Sequence, residues 1–94
     1  MTVVFSRLAL AELDEILGYI GQRSTSGARH VEVGLRPALL HIGDNPLAAE
    51  ALPERPDVRR FPLRRYPYVI YYEVADDTVT VLRILHSARK QPWH

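Results

Sequence analysis

A run of β-branched and aromatic residues in the C-terminal third constrains the fold most strongly. Residues 68–74 read Tyr-Val-Ile-Tyr-Tyr-Glu-Val, and a second run of strand-forming residues covers 78–85. Such residues favour strands, and the short pair Asp76-Asp77 between the runs indicates a hairpin turn. The sequence therefore predicts two adjacent strands, the first with its even-numbered residues on one face and its odd-numbered residues on the other.

Two amphipathic helices are predicted ahead of these strands. Apolar residues recur with helical spacing after Ser6, which is a suitable N-cap, and Gly21 is a suitable residue to end the helix. The first helix is therefore expected over about residues 7–20, with Glu12 and Glu15 pointing away from its apolar face. This pattern is typical of a helix that packs one side against a core.

The second helix is expected to begin after residues 24–26, Ser-Thr-Ser, and to end at residues 43–46, Gly-Asp-Asn-Pro. Pro37 lies inside it. Proline removes a backbone donor and clashes with the preceding turn. The sequence therefore predicts a kink or a break between Gly34 and Pro37.

The remaining segments complete an α+β domain. Thr2–Phe5 is expected to form a strand, and residues 46–57 a proline-rich connector. Residues 58–63 are expected to form a short strand with Val58, Phe61 and Leu63 on one face, which Pro62 confines to an edge or a bulge. The predicted order is βααβββ, a single domain over residues 1–94, with a two-helix hairpin packed on a small, mainly antiparallel sheet.

Composition excludes several classes of protein. A chain of 94 residues has room for one core, and without cysteine it has neither a disulfide framework nor thiolate chemistry. We expect a cytoplasmic protein, because the N-terminus lacks the pattern of a signal peptide and no stretch is long enough to span a membrane. The four histidines do not have the spacing of a metal site, so no metal or cofactor is expected.

The net charge of +1 is the sum of a negatively charged N-terminal part and a positively charged C-terminal part. Residues 1–54 carry four Arg against seven acidic residues, whereas residues 55–94 carry eight Lys or Arg against four. Eleven of the twelve cations are arginine, whose planar guanidinium suits carboxylates, phosphates and aromatic rings. Cationic and aromatic residues at the ends of the predicted hairpin indicate a surface that binds an anion or another protein. Within the sheet itself, Arg83 is expected to share a face with Val79, Val81 and Leu85. Either that face is exposed to solvent at its C-terminal end, or Arg83 pairs with a carboxylate such as Glu73 on the neighbouring strand, and the pairing is favoured.

Several segments together resemble one known family. They are residues 11–20, Pro46, residues 58–59, residues 66–72 with the sequence Tyr-Pro-Tyr-Val-Ile-Tyr-Tyr, and residues 81–89 with the sequence Val-Leu-Arg-Ile-Leu-His-Ser-Ala-Arg. In this order and at this length they resemble the RelE/ParE superfamily of type II toxin-antitoxin toxins. The resemblance implies two helices against a small antiparallel sheet, and a small antitoxin, ParD-like or similar, as partner in a hetero-oligomer.

The superfamily contains two activities. RelE-like members cleave mRNA in the ribosomal A site without a metal, whereas ParE-like members poison DNA gyrase without catalysing a reaction. The lysine-rich stretch of RelE members is replaced here by residues 52–56, Leu-Pro-Glu-Arg-Pro. The catalytic tyrosine that RelE members carry near the C-terminus is also missing, because no tyrosine follows Tyr72. The resemblance therefore favours the ParE-like branch, with Arg89, Lys90 and Trp93 as the patch that binds the target.

A ribonuclease remains the alternative. Arg65 or Arg64, together with Arg89, would hold the scissile phosphate. His86 would be the general acid, because an unperturbed imidazole has a pKa of about 6.5, and Glu54 the general base. A histidine at the end of a strand is also commonly a capping or packing residue.

Two further alternatives stay open, a small nucleic-acid-binding module and a degenerate toxin that retains only antitoxin binding. The resemblance also implies an acidic antitoxin segment. Its contacts in this chain are expected at four arginines, Arg59, Arg60, Arg64 and Arg65.

Overall fold

The computed structural model describes residues 1–88 as two helices against one five-stranded sheet. The elements are β1 (Thr2–Phe5), α1 (Arg7–Arg23), α2 (Thr25–Asp44), β2 (Glu50–Ala51), β3 (Val58–Pro62), β4 (Tyr68–Ala75) and β5 (Thr78–His86). The strand order is β1-β5-β4-β3-β2, with β1 parallel to β5 and every other pair antiparallel. The predicted α+β class and mainly antiparallel sheet are confirmed. Neither described helix is long and apolar enough to cross a membrane.

A single residue, Ser24, connects the two helices. The Ser6 side chain accepts a hydrogen bond from the Ala9 amide at 3.0 Å, which confirms Ser6 as the N-cap of α1. The expected end of α1 at Gly21 is wrong, because the helix continues to Arg23 and ends at Ser24. Ser24 also caps α2 by accepting from the Gly27 amide at 3.0 Å. Because Ser24 is the C-cap of α1 and the N-cap of α2, no loop separates the two helices, and no glycine is needed to end α1.

Pro37 does not break the second helix, which runs without interruption from Thr25 to Asp44. The expected break between Gly34 and Pro37 is therefore wrong. Pro37 lies on the exposed side of α2, whereas Val31, Leu35, Ala38 and Ile42 are buried in the core. Burial of that apolar face offsets the cost of proline in a helix interior, about 3 kcal/mol.

The main core lies between the helices and one face of the sheet. Its buried members are Ala9, Val31, Leu35, Ala38, Ile42, Ile70, Tyr72, Val79, Val81 and Ile84. Even-numbered residues of β4 face this core, as predicted. Val58, however, belongs to a second buried cluster on the opposite face, with Leu52, Val69, Tyr71 and Leu85, whereas Phe61 and Leu63 pack with the main core. The predicted shared face for these three residues is wrong, because successive strand residues alternate between faces.

The connector after α2 contains a short strand that the sequence analysis did not predict. Glu50 and Ala51 pair with Arg60 and Arg59 of β3. The Arg59 guanidinium donates to the carbonyls of Leu47 and Ala49, at 3.1 and 2.6 Å. These contacts turn a proline-rich connector into the edge of the sheet.

The predicted hairpin between β4 and β5 is confirmed. Asp76 and Asp77 form its two-residue turn, both with positive φ, 52° and 58°. One irregularity interrupts the pairing of the two strands. Tyr71 stands opposite Arg83 and Tyr72 opposite Val81, so Leu82 is an extra residue on β5, a β-bulge. The bulge shifts the alternation of β5, so Arg83 and Leu85 do not share the face of Val79 and Val81, and the expected grouping is wrong.

Candidate functional site

The cationic loop between β3 and β4 and the end of β5 lie at the same end of the sheet. Tyr68 pairs with His86. The Ser87 amide donates to the Pro67 carbonyl at 2.7 Å, and the Leu63 amide donates to the Tyr68 carbonyl at 2.9 Å. These bonds tie the loop of residues 63–67, which carries Arg64 and Arg65, to the strand that carries His86.

His86 has a local structural role at this end. Its exposed ring accepts a hydrogen bond from the Ala88 amide at Nδ1, at 3.1 Å. The edge of the ring also meets the Tyr68 ring, with 5.7 Å between centroids. A neutral imidazole that accepts at Nδ1 carries its proton on Nε2. To act as a general acid the ring would need a second proton, on Nδ1, and that proton would break the hydrogen bond from Ala88.

Glu54 lies at the other end of the sheet. It follows Leu52, whose amide donates to the Val58 carbonyl at 2.9 Å. Val58 stands opposite Glu73 on β4, and His86 opposite Tyr68. Five residues along one strand span about 17 Å. The structure therefore does not bring Glu54 next to His86.

The charges beside Glu54 are paired with each other. Arg55 and Asp57 form an ion pair at 3.2 Å, and the hydrogen bond from Arg55 lowers the pKa of Asp57. The other residues named for a site from the sequence, Arg89, Lys90 and Trp93, lie outside the described residues.

The four arginines proposed for antitoxin binding differ in their surroundings. Arg59 is held by two backbone carbonyls of the connector. Arg60 is partly buried, and its Nε has no hydrogen-bond partner among the described residues. Arg64 and Arg65 are exposed, and within residues 1–88 neither forms an ion pair. Arg64 and Arg65 are therefore the two of the four most open to an external anion.

A groove opens beside these two arginines. It has a volume of about 690 Å³ and lies between residues 30–41 of α2 and residues 61–66. Val33, Pro37 and Leu63 contribute apolar surface, and no described acidic side chain lines it. Local sequence patterns do not reveal where this groove lies, because two segments far apart in the chain form it.

The wall of the groove depends on a close contact between α2 and the loop. A Cβ built at Gly34 would lie 2.5 Å from Cε2 of Tyr66, nearer than side chains approach one another. Glycine at residue 34 thus allows the Tyr66 ring to rest on the helix. This contact fixes the loop that carries Arg64 and Arg65.

Hydrogen bonds from α1 and its N-cap, together with a partly buried ion pair, support the end of β5 from the other side. β1 ends at Phe5, opposite Val81, so the outer edge of β5 has no strand partner beyond that point. Ser6 Oγ donates to the Leu82 carbonyl at 3.0 Å, and Glu12 Oε1 accepts from the Ile84 amide at 3.1 Å. The N-cap serine and a glutamate of α1 thus satisfy backbone groups that a strand would otherwise pair.

Glu12 also binds Arg83, which corrects two predictions. The Arg83 guanidinium donates to both carboxylate oxygens, with its shortest hydrogen bond at 2.6 Å, and this bonding raises the pKa of Arg83. Arg83 therefore pairs with Glu12 and not with Glu73. Glu73 stands opposite Thr80, whereas Arg83 stands opposite Tyr71. Glu12 is 8% exposed and does not point into solvent as expected.

Comparison with known proteins identifies the family. A family model described as the ParE toxin of the type II toxin-antitoxin system parDE matches residues 3–91. Toxin RelE2 of Caulobacter vibrioides is 37% identical over 91 residues, which cover 93% of this chain and 96% of the relative. The chain therefore belongs to the ParE toxin family, within the RelE/ParE superfamily of type II toxin-antitoxin toxins.

Solved structures share the fold. The chromosomal ParDE toxin-antitoxin system from P. aeruginosa matches with a TM-score of 0.79 and 23% identity, over 92% of this chain and 95% of the other. The isolated E. coli RelE toxin matches with a TM-score of 0.66 and 22% identity, over 96% and 87% of the two chains. These structures agree in fold with the superfamily resemblance stated from the sequence, which the family model and the 37% identical relative confirm.

Proposed function

We propose that this toxin arrests growth by poisoning DNA gyrase and that it does so without catalysing a reaction. The observation that supports this most is the distance between the groups a ribonuclease would need. A general base and a general acid must both reach the reacting phosphate. Glu54 lies near the end of the sheet where Val58 pairs with Glu73, whereas His86 pairs with Tyr68, five residues or about 17 Å away along β4.

The chemistry of the remaining side chains supports the same proposal. The Tyr72 hydroxyl is buried and donates to the Pro46 carbonyl at 2.7 Å, and burial raises its pKa. The Tyr72 hydroxyl therefore has a structural role in holding the connector. A gyrase poison needs a surface that is complementary to gyrase and does not need a proton donor. We assign the contact with gyrase to Arg89, Lys90 and Trp93.

The partner that neutralises the toxin is proposed to be an antitoxin with an acidic segment. Membership of the ParE toxin family supports an antitoxin partner. Acidic side chains would meet Arg64 and Arg65 in the exposed loop, with Arg60 and Arg59 as further contacts on β3. Arg59 would contribute least, because its guanidinium already binds two carbonyls.

A RelE-like ribonuclease is the second candidate, and two observations favour it. The 37% identical relative is named Toxin RelE2. His86, Arg64 and Arg65 also lie at one end of the sheet. In this function His86 would release the Ala88 amide, carry a proton on each ring nitrogen and protonate the leaving oxygen, and the arginines would stabilise the charged phosphate.

Expression in growing cells separates the two functions. We expect growth arrest with cleaved or relaxed plasmid DNA, intact ribosome-bound mRNA, and recovery when the antitoxin is co-expressed. His86→Gln should remain toxic, because it keeps the shape of the ring's surroundings and removes only proton transfer. Codon-dependent mRNA cuts that disappear with His86→Gln would favour the ribonuclease instead.

A further inference from the structure

We propose that the exposed side of α2 binds a second copy of this chain, with the two helices antiparallel about a two-fold axis beside Leu40. The surface consists of Val33, Arg36, Leu40 and Asp44 on α2 and of Leu47 in the turn that follows, and it is called the α2 stripe below. The inference goes beyond the proposed function and does not depend on whether the toxin acts on gyrase or on mRNA.

The α2 stripe exposes large apolar side chains at regular spacing. Leu40 is 70% exposed and Leu47 is 67% exposed, the two highest values among the large hydrophobic residues that the structure describes. Val33, also exposed, lies seven residues before Leu40, which is about two helical turns. Leu47 continues this spacing just beyond the helix, where its carbonyl accepts a hydrogen bond from the Arg59 guanidinium at 3.1 Å. Contact with a partner would remove this apolar surface from water.

The order of side chains along the stripe makes it complementary to itself. Arg36 lies four residues before Leu40 and Asp44 four residues after it, while Val33 and Leu47 lie seven residues before and after. A two-fold axis beside Leu40 reverses the direction of the second helix. It therefore places Arg36 of each copy opposite Asp44 of the other, and Val33 opposite Leu47. Opposite charges then meet twice and apolar side chains meet each other, which favours a second copy as the occupant.

Both charges of the stripe are available for this pairing. Arg36 and Asp44 are exposed. The contact of Arg36 with Glu32, at 3.6 Å, is too long for a hydrogen bond and joins side chains that are 77% and 55% exposed, so it contributes little. Asp44 forms no ion pair within residues 1–88. A guanidinium binds a carboxylate through two parallel hydrogen bonds, which Asp44 of the second copy would supply.

A shallow groove beside Leu40 has room for a side chain of the second copy. Its volume is about 430 Å³, and it lies between β1 and the C-terminal half of α2, with Val3, Leu39 and Leu40 in its apolar lining and Arg36 and Asp44 beside them. One face of one helix is a small interface, and interfaces below about 1,200 Å² are typical of weak complexes. We therefore expect a reversible dimer.

Sedimentation of the purified toxin, separated from its antitoxin, over a series of concentrations tests the apolar part of the stripe. Leu40→Ser should raise the dissociation constant of the dimer about tenfold or more, because the substitution occurs twice in a symmetric interface. The control is Leu10→Ser, at a leucine of α1 that is exposed outside the stripe, and it should leave the dissociation constant unchanged. Circular dichroism verifies that both variants are folded.

Exchange of the charges tests the antiparallel arrangement. Arg36→Asp alone and Asp44→Arg alone each place like charges across the two-fold axis, so each variant should sediment as a monomer. Mixed in equal amounts, the two variants restore opposite charges at both contacts and should form a mixed dimer. The matched controls on α1 are Arg7→Asp and Asp14→Arg, two exposed positions outside the stripe, and each should dimerise as the unchanged toxin does.

A toxin that is monomeric at every concentration would overturn the proposal. So would a dimer that Leu40→Ser leaves intact, because the contact would then lie elsewhere, for example along the outer edge of β1. Charge variants that stay monomeric when mixed would contradict the antiparallel arrangement. If Leu40→Ser instead weakens binding of the antitoxin to a monomeric toxin, the occupant of the stripe is the antitoxin and the proposal fails. Gyrase and mRNA are absent from these assays, so their result is independent of the proposed function.

Discussion

Single residues carry contacts that hold distant parts of this toxin together. Glu12 on α1 accepts hydrogen bonds from the Arg83 guanidinium and the Ile84 amide, and it is almost fully buried. A buried charge is tolerated when it is paired and hydrogen-bonded. Removing one partner leaves the other charge without compensation.

Glu12→Ala should therefore destabilise the fold by about 2 kcal/mol, because it leaves the partly buried Arg83 guanidinium and the Ile84 amide without their acceptor. Urea unfolding followed by circular dichroism measures the change. Glu15→Ala on the exposed side of the same helix is the control and should change the free energy of unfolding by less than about 0.5 kcal/mol. Similar losses for the two variants would mean that the ion pair contributes little.

Tyr72 makes a second contact of this kind, from the core of the sheet to the connector. Burial raises the pKa of its hydroxyl, so the group stays protonated and donates to the Pro46 carbonyl. Tyr72→Phe should cost about 1 kcal/mol of unfolding free energy, because that carbonyl loses its partner.

Tyr19→Phe is the matched change at an exposed tyrosine, where the Arg23 guanidinium lies 3.9 Å from the ring centroid and contacts the ring, not the hydroxyl. It should leave thermal stability nearly unchanged. A Tyr72→Phe variant as stable as Tyr19→Phe would argue against a role for the hydroxyl bond.

At the scale of elements, the hairpin turn shows how local sequence sets backbone conformation. Asp76 and Asp77 both have positive φ, as a two-residue turn of type I′ requires. Aspartate tolerates this conformation better than most residues, but glycine adopts it without a steric penalty.

Asp77→Gly should therefore stabilise the fold, by about 0.5–1 kcal/mol. The same substitution at Asp14, an exposed position inside α1, should destabilise it, because glycine is a poor helix former. Thermal unfolding of the two variants gives the comparison. A loss of stability with Asp77→Gly would mean that the carboxylate contributes more than the backbone.

The elements with strong local patterns could be predicted from the sequence. The β4–β5 hairpin, both helices and the Ser6 cap follow from periodicity and turn chemistry. The end of α1, the strand Glu50–Ala51 and the bulge at Leu82 could not be predicted, because each is fixed by a neighbour in space. Arg59, for example, holds the connector that becomes β2 through two carbonyls at least ten residues away.

At the scale of the whole molecule, the site depends on contacts that no local pattern reveals. Glu12 and Arg83 are 71 residues apart in the chain, and the groove joins α2 to a loop some thirty residues later. The cationic character of the C-terminal part could be predicted from charge segregation. Which arginines are open to a partner could not, since Arg59 and Arg64 differ only in what the fold places beside them.

A supercoiling assay with purified DNA gyrase and relaxed plasmid tests the proposed function most directly. We predict that the toxin inhibits supercoiling or accumulates cleaved DNA, that His86→Gln does so equally well, and that addition of the antitoxin restores gyrase activity. The physical reason is that a poison acts through a binding surface, which loss of one exposed imidazole proton donor leaves intact. Unaffected gyrase at toxin concentrations that cut mRNA on ribosomes would contradict the proposal.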